Sequence, residues 1–528
     1  MPPVLNYPGV YIQEIPSAVH TITGVATSIA AFVGWAPQGP TNQAVLVLSF
    51  PDFQNQFGGL DSRSNLGYAV NQFFANGGQQ AYIVRVVWDG TLTAATSTTP
   101  TAAATATATV GGTLKLWACS PGLWGDNLQI TVTLAADPSR FSLQVLQVVK
   151  STTTVLETFF NLSATSTDPE YVVTVVDNDS RYITFVNPKT GSPGSVSGTP
   201  AAATGTPLTG GLDGSTLTPE DGFNGDGNFE IALGSDPAAT GNHFGIHLLD
   251  RIDIFNLLCV PGETDAPTIG NLQAYCAGRR AFYIVDSPQS ATTANLEKSG
   301  PVGINTGSIT AGNSDHSAYY YPWVQSPDPL FGNRIRLFPP CGFVAGVYAA
   351  TDAGPGVWKA PAGIDASLTG AAGLQYVLTD PENGVLNVQA INCLRQFKVY
   401  GTVVWGARTL QGNDQVGSQW KYVPIRRLAL YLESSLYVGT QWVVFEPNDE
   451  TLWGQIRLNV GTFMQSLFLK GAFQGTTPQQ AYFVKCDAEN NPQASINQGI
   501  VNILVGFAPL FPAEFVVIQI QQMAGQIR

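Results

Sequence analysis

The chain predicts an α+β protein of several domains: an α/β terminal domain built from both chain ends, with an inserted antiparallel β-sandwich and an inserted open α/β sheet. Three observations lead there. At 528 residues the chain is too long for one hydrophobic core. Two stretches poor in large apolar side chains, 91–113 (mostly Ala and Thr) and 190–213 (Gly, Pro and Thr), bracket a run of short alternating strands. After residue 255 the pattern changes to strand, helix, strand, which suits an open sheet with crossover helices.

Taken in order, the first 20 residues hold a short alternating segment, Val10 and Ile12 against Tyr11 and Gln13, between Pro8-Gly9 and Pro16. A lone strand cannot satisfy its own backbone and must join a sheet, either within its own chain or in another. Apolar strands follow at 28–35 and 44–48. Ser49-Phe50-Pro51 caps and starts a helix that ends at Gly58-Gly59. Leu66, Ala69, Val70 and Phe73 mark a second helix stopped by Asn76-Gly77-Gly78, and 82–86 is a third strand. This block, 21–90, is expected to pack with the C-terminal part of the chain, 381–508, into one core domain.

The stretch 91–113 reads as an exposed linker, and strands at 128–132, 141–145, 154–156, 171–175 and 182–186 make the sandwich within 91–213. Between 214 and 380, a strand at 255–262, a helix around 269–278, a strand at 281–286 and the segments 317–324 and 345–350 build the open sheet.

The densest structural signal lies at 391–487, which reads as one compact α/β unit. A strand at 402–405 closes on Gly406, and a Gly/Asn/Asp loop follows at 411–418. Pro424 begins a helix whose Ile425, Leu428, Leu432 and Leu436 share one face until Gly439. Trp442-Val443-Val444-Phe445 is the next strand, Asn448 or Asp449 caps a helix carrying Leu452, Ile456, Val460, Phe463 and Leu467, and Tyr482-Phe483-Val484-Lys485 is a further strand. Strands at 500–505 and 515–521 end the chain. In the latter, Val516, Ile518 and Ile520 alternate with Phe515, Val517 and Gln519, and such a strand must be paired to avoid aggregation.

Composition limits the function classes. With 24 basic and 37 acidic residues the net charge is -13, which works against a nonspecific grip on nucleic acid or anionic lipid. Six scattered cysteines without a CxxC spacing suggest buried reduced thiols, and neither a leader-like N-terminus nor a run of eighteen apolar residues occurs, so cytoplasmic synthesis is expected. The four histidines lie outside any peptidase setting and there is no G-x-S-x-G elbow. Asp286, at a strand end, reads as a turn cap. His243 and His247, four apart with Gly245 between, lack the glutamate of a zincin, and Asp221, Asp226 and Glu230 do not follow EF-hand spacing. Without a P-loop the chain does not hydrolyse nucleotide by that route. No catalytic, cofactor or metal residue is assigned.

Several separated motifs, in order, carry a resemblance. They are Pro8-Gly9-Val10-Tyr11-Ile12-Gln13-Glu14-Ile15, Phe32-Val33-Gly34-Trp35-Ala36-Pro37-Gln38-Gly39-Pro40, and the stretch from Gly77-Gly78 to Arg85-Val86. Toward the other end come Ile391-Asn392, Tyr400-Gly401, Trp405-Gly406-Ala407-Arg408-Thr409-Leu410, Tyr422-Val423 with Arg426-Arg427, and Phe445-Glu446-Pro447-Asn448. The set resembles contractile tail sheath proteins of myophages, R-type pyocins and extracellular contractile injection systems. The resemblance implies that the α/β insert is subtilisin-like in fold. It also implies an arm at 1–20 (Val10, Tyr11, Ile12, Gln13) and one at 509–528 (Phe515, Val516, Val517, Ile518, Gln519, Ile520) donated to neighbouring subunits. The receiving sheet would be built by Trp442, Val443, Val444, Tyr482, Phe483 and Val484. The implied partners are copies of the chain in stacked hexameric rings, an inner tube protein met by Arg457 and Lys470 on the helix at 449–470, and baseplate and tail terminator proteins, with no nucleic acid and no membrane insertion. A catalytic or carbohydrate-binding role for the α/β insert, and a passive array protein, are the alternatives.

Overall fold

The computed structural model describes residues 20–94, 99–219, 227–234, 245–301, 310–517 and 519. The chain divides into two units, one of Thr27–Gly354 with Ala360–Val423, the other of Pro424–Arg528 with Pro355–Lys359 and the N-terminal residues up to Ala26.

The first unit is organised on an eight-stranded sheet. Its order is Gly401–Val404, Ile391–Phe397, Ser317–Tyr321, Phe282–Asp286, Leu257–Cys259, Ala30–Gly34, Ala81–Arg85 and Val45–Val47. The six inner strands are mutually parallel, with Ala30 opposite both Leu257 and Ala81, and the two outer strands run antiparallel. Parallel strands covered on both faces are apolar throughout rather than alternating, which is how Ala30–Gly34 and Phe282–Asp286 read, every residue buried. Helices Leu66–Ala75, Ala266–Arg279 and Cys341–Ala353 supply cover. The second of these starts where the Asp265 carboxylate accepts the Thr268 N–H.

This sheet corrects the expected partition. The strands of 21–90 share a core with only the first part of 381–508, Ala31, Val33 and Val84 clustering with Leu386, Ile391, Cys393 and Leu410, and they pair not with that part but with Leu257–Cys259, through Ala30–Gly34. Nor is 391–487 one unit, because Ile391–Phe397 and Gly401–Val404 belong to the central sheet while the residues from Pro424 onward do not. The physical reason is pairing: a fully apolar parallel strand needs a neighbour on each side, and Leu257–Cys259 provides it across a long insertion.

The inserted segment folds around its own core. One sheet orders as Thr107–Val110, Leu114–Ala118, Ile183–Thr184, and a second as Ala203–Pro207, Leu128–Leu134, Arg140–Val149, Thr152–Ser163. Leu116, Ile130, Phe141, Leu143, Val145, Leu162 and Ile183 are among its buried members. Two expectations change here. The segment expected as a strand at 171–175 is the helix Val172–Asp179, with Val172 and Val176 buried one turn apart; a short β-branched run satisfies a period of two or of nearly four equally well. The Ala/Thr stretch is not only linker, since Thr107–Val110 is a strand and Ala103, Ala106 and Ala108 are buried. Small side chains earn that burial through close approach: a Cβ on Gly125 would lie 2.8 Å from the Ala106 methyl.

The second unit holds two long helices, Val423–Gly439 (its part from Pro424) and Glu450–Leu469, and a two-stranded sheet. The expected faces are the packed ones: Leu428, Leu432, Leu452, Ile456, Val460, Phe463 and Leu467 form its core with Ile22, Trp453 and Met464. Asp449 is the cap, its Oδ1 accepting the Leu452 N–H at 3.0 Å, while Asn448 takes the Trp453 indole N–H at 2.8 Å. The sheet pairs Tyr482–Lys485 with Leu504–Phe507 antiparallel, Val484 opposite Val505. Its second strand begins four residues later than the expected 500, because the Asn502 N–H and carbonyl are engaged by Asn491 and Asn490.

Candidate functional site

The residues that look most chemical sit in the central sheet and are structural. Asp286 is buried at the end of its strand, where it accepts the Gly262 N–H at 3.0 Å and the Cys341 N–H at 2.7 Å. Burial lifts its pKa to about 6, against the pull of those amides. Asp286 joins Gly262 to the N-terminus of Cys341–Ala353, and does not cap its own strand-end turn as the sequence suggested. His316 bonds Asp315 at 3.0 Å, His247 bonds Asp250 at 3.1 Å, and His20 stacks on Trp442 with ring centroids 4.1 Å apart. His243, Asp221 and Asp226 lie outside the described residues. Glu230 interacts with the buried Glu263, whose pKa is pushed well up by burial first and by Glu230 second. Among the described residues no cluster of three or more His, Cys, Asp or Glu is placed to hold a metal ion, and no helix is long and apolar enough to cross a membrane. The six cysteines are free thiols, five of them buried.

The chain changes direction in the sheet between Ala30–Gly34 and Leu257–Cys259, the place where open α/β sheets commonly bind ligands. A cavity of about 620 Å³ lies there, lined by Trp35, Arg63, Gln289, Trp323 and Arg336 among others. Its guanidiniums are already paired, Arg63 with Asp61 and Asp213 at 2.7 and 2.9 Å and Arg336 with Asp328 at 2.5 Å.

The motif residues prove to be clamps. Arg85 is buried and donates to the carbonyls of Ala36, Gly39 and Pro121 at 2.6 to 2.9 Å, which ties down the loop of the Phe32–Pro40 motif; burial pushes its pKa down to about 9. Asn392 accepts the Arg408 N–H at 2.7 Å and donates to the Arg408 and Tyr319 carbonyls. Arg408 in turn donates to the Asn387 and Gly412 carbonyls and pairs with Asp414 at 3.0 Å. Gly406 is required beside them, because a Cβ there would lie 2.9 Å from the Asn392 Cα. Alternation and spacing gave no sign that these arginines are buried.

The residues expected to serve assembly fall in the second unit. Tyr482, Phe483 and Val484 lie in a sheet of two strands, which leaves both outer edges without a strand among the described residues; Phe483 is exposed. Two strands alone are marginal in water, so added strands would stabilise the element. Trp442, Val443 and Val444 are not a strand, contrary to expectation: Gln441–Val443 is a 3-10 turn, closed by the Val443 N–H to the Thr440 carbonyl at 3.0 Å and the Val444 N–H to the Gln441 carbonyl at 3.2 Å. Without a partner strand the segment satisfies its backbone locally. Phe515, Val516, Val517 and Gln519 are exposed and in no strand, and Val10, Tyr11, Ile12, Gln13, Ile518 and Ile520 lie outside the described residues. Arg457 pairs with Glu450 at 2.6 Å and donates to the Cys486 carbonyl, joining helix to sheet. Lys470 is exposed as the residue that ends Glu450–Leu469. Arg426 and Arg427 are buried, Arg426 reaching Glu433 at 3.3 Å.

Comparison with known proteins bears on the same segments. Residues 251–410 match the family model of the phage tail sheath protein central domain, and 415–523 that of the phage tail sheath C-terminal domain, so the break between the models falls just before the division at Pro424. A putative prophage major tail sheath protein of Pseudomonas aeruginosa is 27% identical over 286 residues, covering 52% of this chain and 68% of that protein. The tail sheath protein of Vibrio phage KVP40 is 26% identical over 179 residues, 33% of this chain and 25% of that one. Among solved structures, the sheath complex of the PVC extracellular contractile injection system in its contracted state superposes with a TM-score of 0.58 at 22% identity over 98% of each chain. The helical sheath of the anti-feeding prophage in its contracted state gives 0.57 at 22% identity, over 98% of this chain and 100% of that one. At these identities the structural likeness is one of fold.

Proposed function

Given that the chain belongs to the contractile phage tail sheath family, we propose that it is a structural subunit, not an enzyme, that polymerises helically around an inner tube. Stacked hexameric rings would be linked by donated N- and C-terminal strands, and contraction would drive the tube through a target cell envelope. A baseplate and a tail terminator would bound the sheath, and the particle would assemble in the bacterial cytoplasm and act after release.

One observation carries this reading: in the unit matched by the sheath C-terminal model, a two-stranded sheet has no further strand on its outer edges among the described residues, while Phe515, Val516 and Val517, at the start of an alternating apolar stretch, are exposed. Main-chain pairing of that kind suits a contracting mesh. Strand hydrogen bonds resist pulling, and the segments leading to them bend, so bodies rotate without the links breaking. Tyr482, Phe483 and Val484 offer the receiving edge. Of the two candidate tube contacts, Lys470 is the better placed, because Arg457 already serves Glu450 and Cys486.

Electron microscopy of the protein expressed alone, beside a variant lacking residues 1–20, tests the reading. Hollow helical tubes from the full chain and none from the truncation are expected. Monomers in both samples at concentrations where the wild-type particle assembles would reject it.

A further inference from the structure

Residues 441–446 carry two conflicts between sequence and conformation. The run Gln441-Trp442-Val443-Val444-Phe445 is built from strand-forming residues, yet it is coiled into successive turns, the last closed by the Glu446 N–H on the Val443 carbonyl at 3.2 Å. Phe445 has φ of 71°, a left-handed backbone that a bulky side chain adopts only at a cost. The strain accompanies no burial: Phe445 is 102% exposed and Val444 63%. Local strain of this kind persists where a second state uses it.

We infer that 441–446 is a switch segment, turned in the free subunit and extended as a strand against residues 515–517 of a second copy in the assembled one. This rests on the strand-donation reading above and adds to it a receiving element that is absent before docking. Extension returns Phe445 to the β region and covers its ring. Trp442 and Val443 pack against the core that also holds Tyr482, Val484 and Val505, and Asn448 donates to the Ile500 carbonyl at 3.0 Å, so the segment is already anchored beside the sheet. The occupant follows from the chain itself. Phe515, Val516 and Val517 are 75%, 80% and 81% exposed and lie in no strand, which leaves these three residues open to a strand of another copy. No charged residue occurs in 441–445 or in 515–517, so the two carboxylates nearby, Glu446 and Glu514, fall at the ends of the pairing rather than within it.

The test uses two polar substitutions of similar size with opposite backbone preferences, Phe445→Asn and Phe445→Thr, in the full chain. Asparagine tolerates the left-handed region and β-branched threonine does not. The Asn variant should melt higher than the Thr variant as free subunit yet assemble at a critical concentration about tenfold higher, the ratio expected from the left-handed penalty. Stability and assembly therefore change in opposite directions, which loss of an apolar contact would not produce. Equal critical concentrations, or better assembly of the Asn variant, would overturn the switch. A truncation of 509–528 that assembles normally would overturn the chosen occupant. If truncations of 1–20 and of 509–528 both assemble normally, strand donation itself fails; if both abolish tubes while the substituted pair behave alike, donation stands and the switch does not.

Discussion

At the scale of single residues, Glu263 makes a measurable claim. It is buried, one carboxyl oxygen accepts the Asp265 N–H at 2.7 Å, and its neighbours are the acidic Glu230 and Asp265 and the Tyr283 phenol. Its folded pKa lies well above the ordinary 4.5, so the folded state holds a proton that the unfolded chain releases. Stability from this group is therefore complete below pH 4.5 and declines as pH rises toward the folded pKa; Asp286, raised from 3.8 to about 6, contributes the same sign between those values. Glu263→Gln keeps the acceptor, supplies an N–H toward Glu230 and removes the titration. Urea midpoints measured at pH 5 and pH 8 should fall with pH in the wild type and change less in the variant, which becomes the more stable of the two at pH 8. A wild-type decline that the variant reproduces in full would place the titration elsewhere. Burial of this kind was not legible in the sequence, where Glu263 sits in a Pro-Gly turn context and gives no periodic signal. That Asp286 is structural was legible from its place at a strand end, but its partners, the Gly262 and Cys341 amides, are distant in sequence and were not.

Elements were legible where local chemistry determines them. Ser49 before Phe50–Phe57 and Asp449 before Glu450–Leu469 cap their helices through their side chains as expected, whereas Ala266–Arg279 starts three residues before the expected 269, at the Asp265 cap. Asp449→Ala should cost about 1 kcal/mol of stability in the second unit, and Asp449→Asn a few tenths. Thermal unfolding of the two variants side by side checks it, and equal losses would mean that the charge rather than the capping acceptor matters. Elements failed where their state depends on something distant. Val172–Asp179 became a helix because Val172 and Val176 share a face of the inserted core, and 442–445 lost its strand because no partner strand lies along it among the described residues. Strand propensity reports fitness for a pleated, half-covered surface and cannot supply the neighbouring strand.

At the scale of the whole molecule, the motifs in order pointed to the family, while the partition of the chain did not follow from them. Ala30–Gly34 finds its partner across more than two hundred residues, at Leu257–Cys259, and nothing in either sequence names the other. The inserted segment is the counterexample, since its boundaries in composition correspond to a physical joint. Thr101 and Ser215 meet there, the Ser215 N–H donating to the Thr101 carbonyl and the Thr101 N–H to the Ser215 hydroxyl, both at 2.9 Å. The chain thus enters and leaves at one point, and the core between is drawn from the segment's own residues. Replacing 102–214 by a short Gly-Ser link should leave the eight-stranded sheet intact and the subunit able to form tubes. The expected penalty is about 1 to 3 kcal/mol, because Arg85 loses the Pro121 carbonyl and Gly39 the Ser120 hydroxyl. Tubes of unchanged helical repeat in micrographs, with less density per subunit, would place assembly wholly in the remaining residues. A deletion variant that stays folded by circular dichroism but forms no tubes would instead make the inserted sheets part of the contact between subunits.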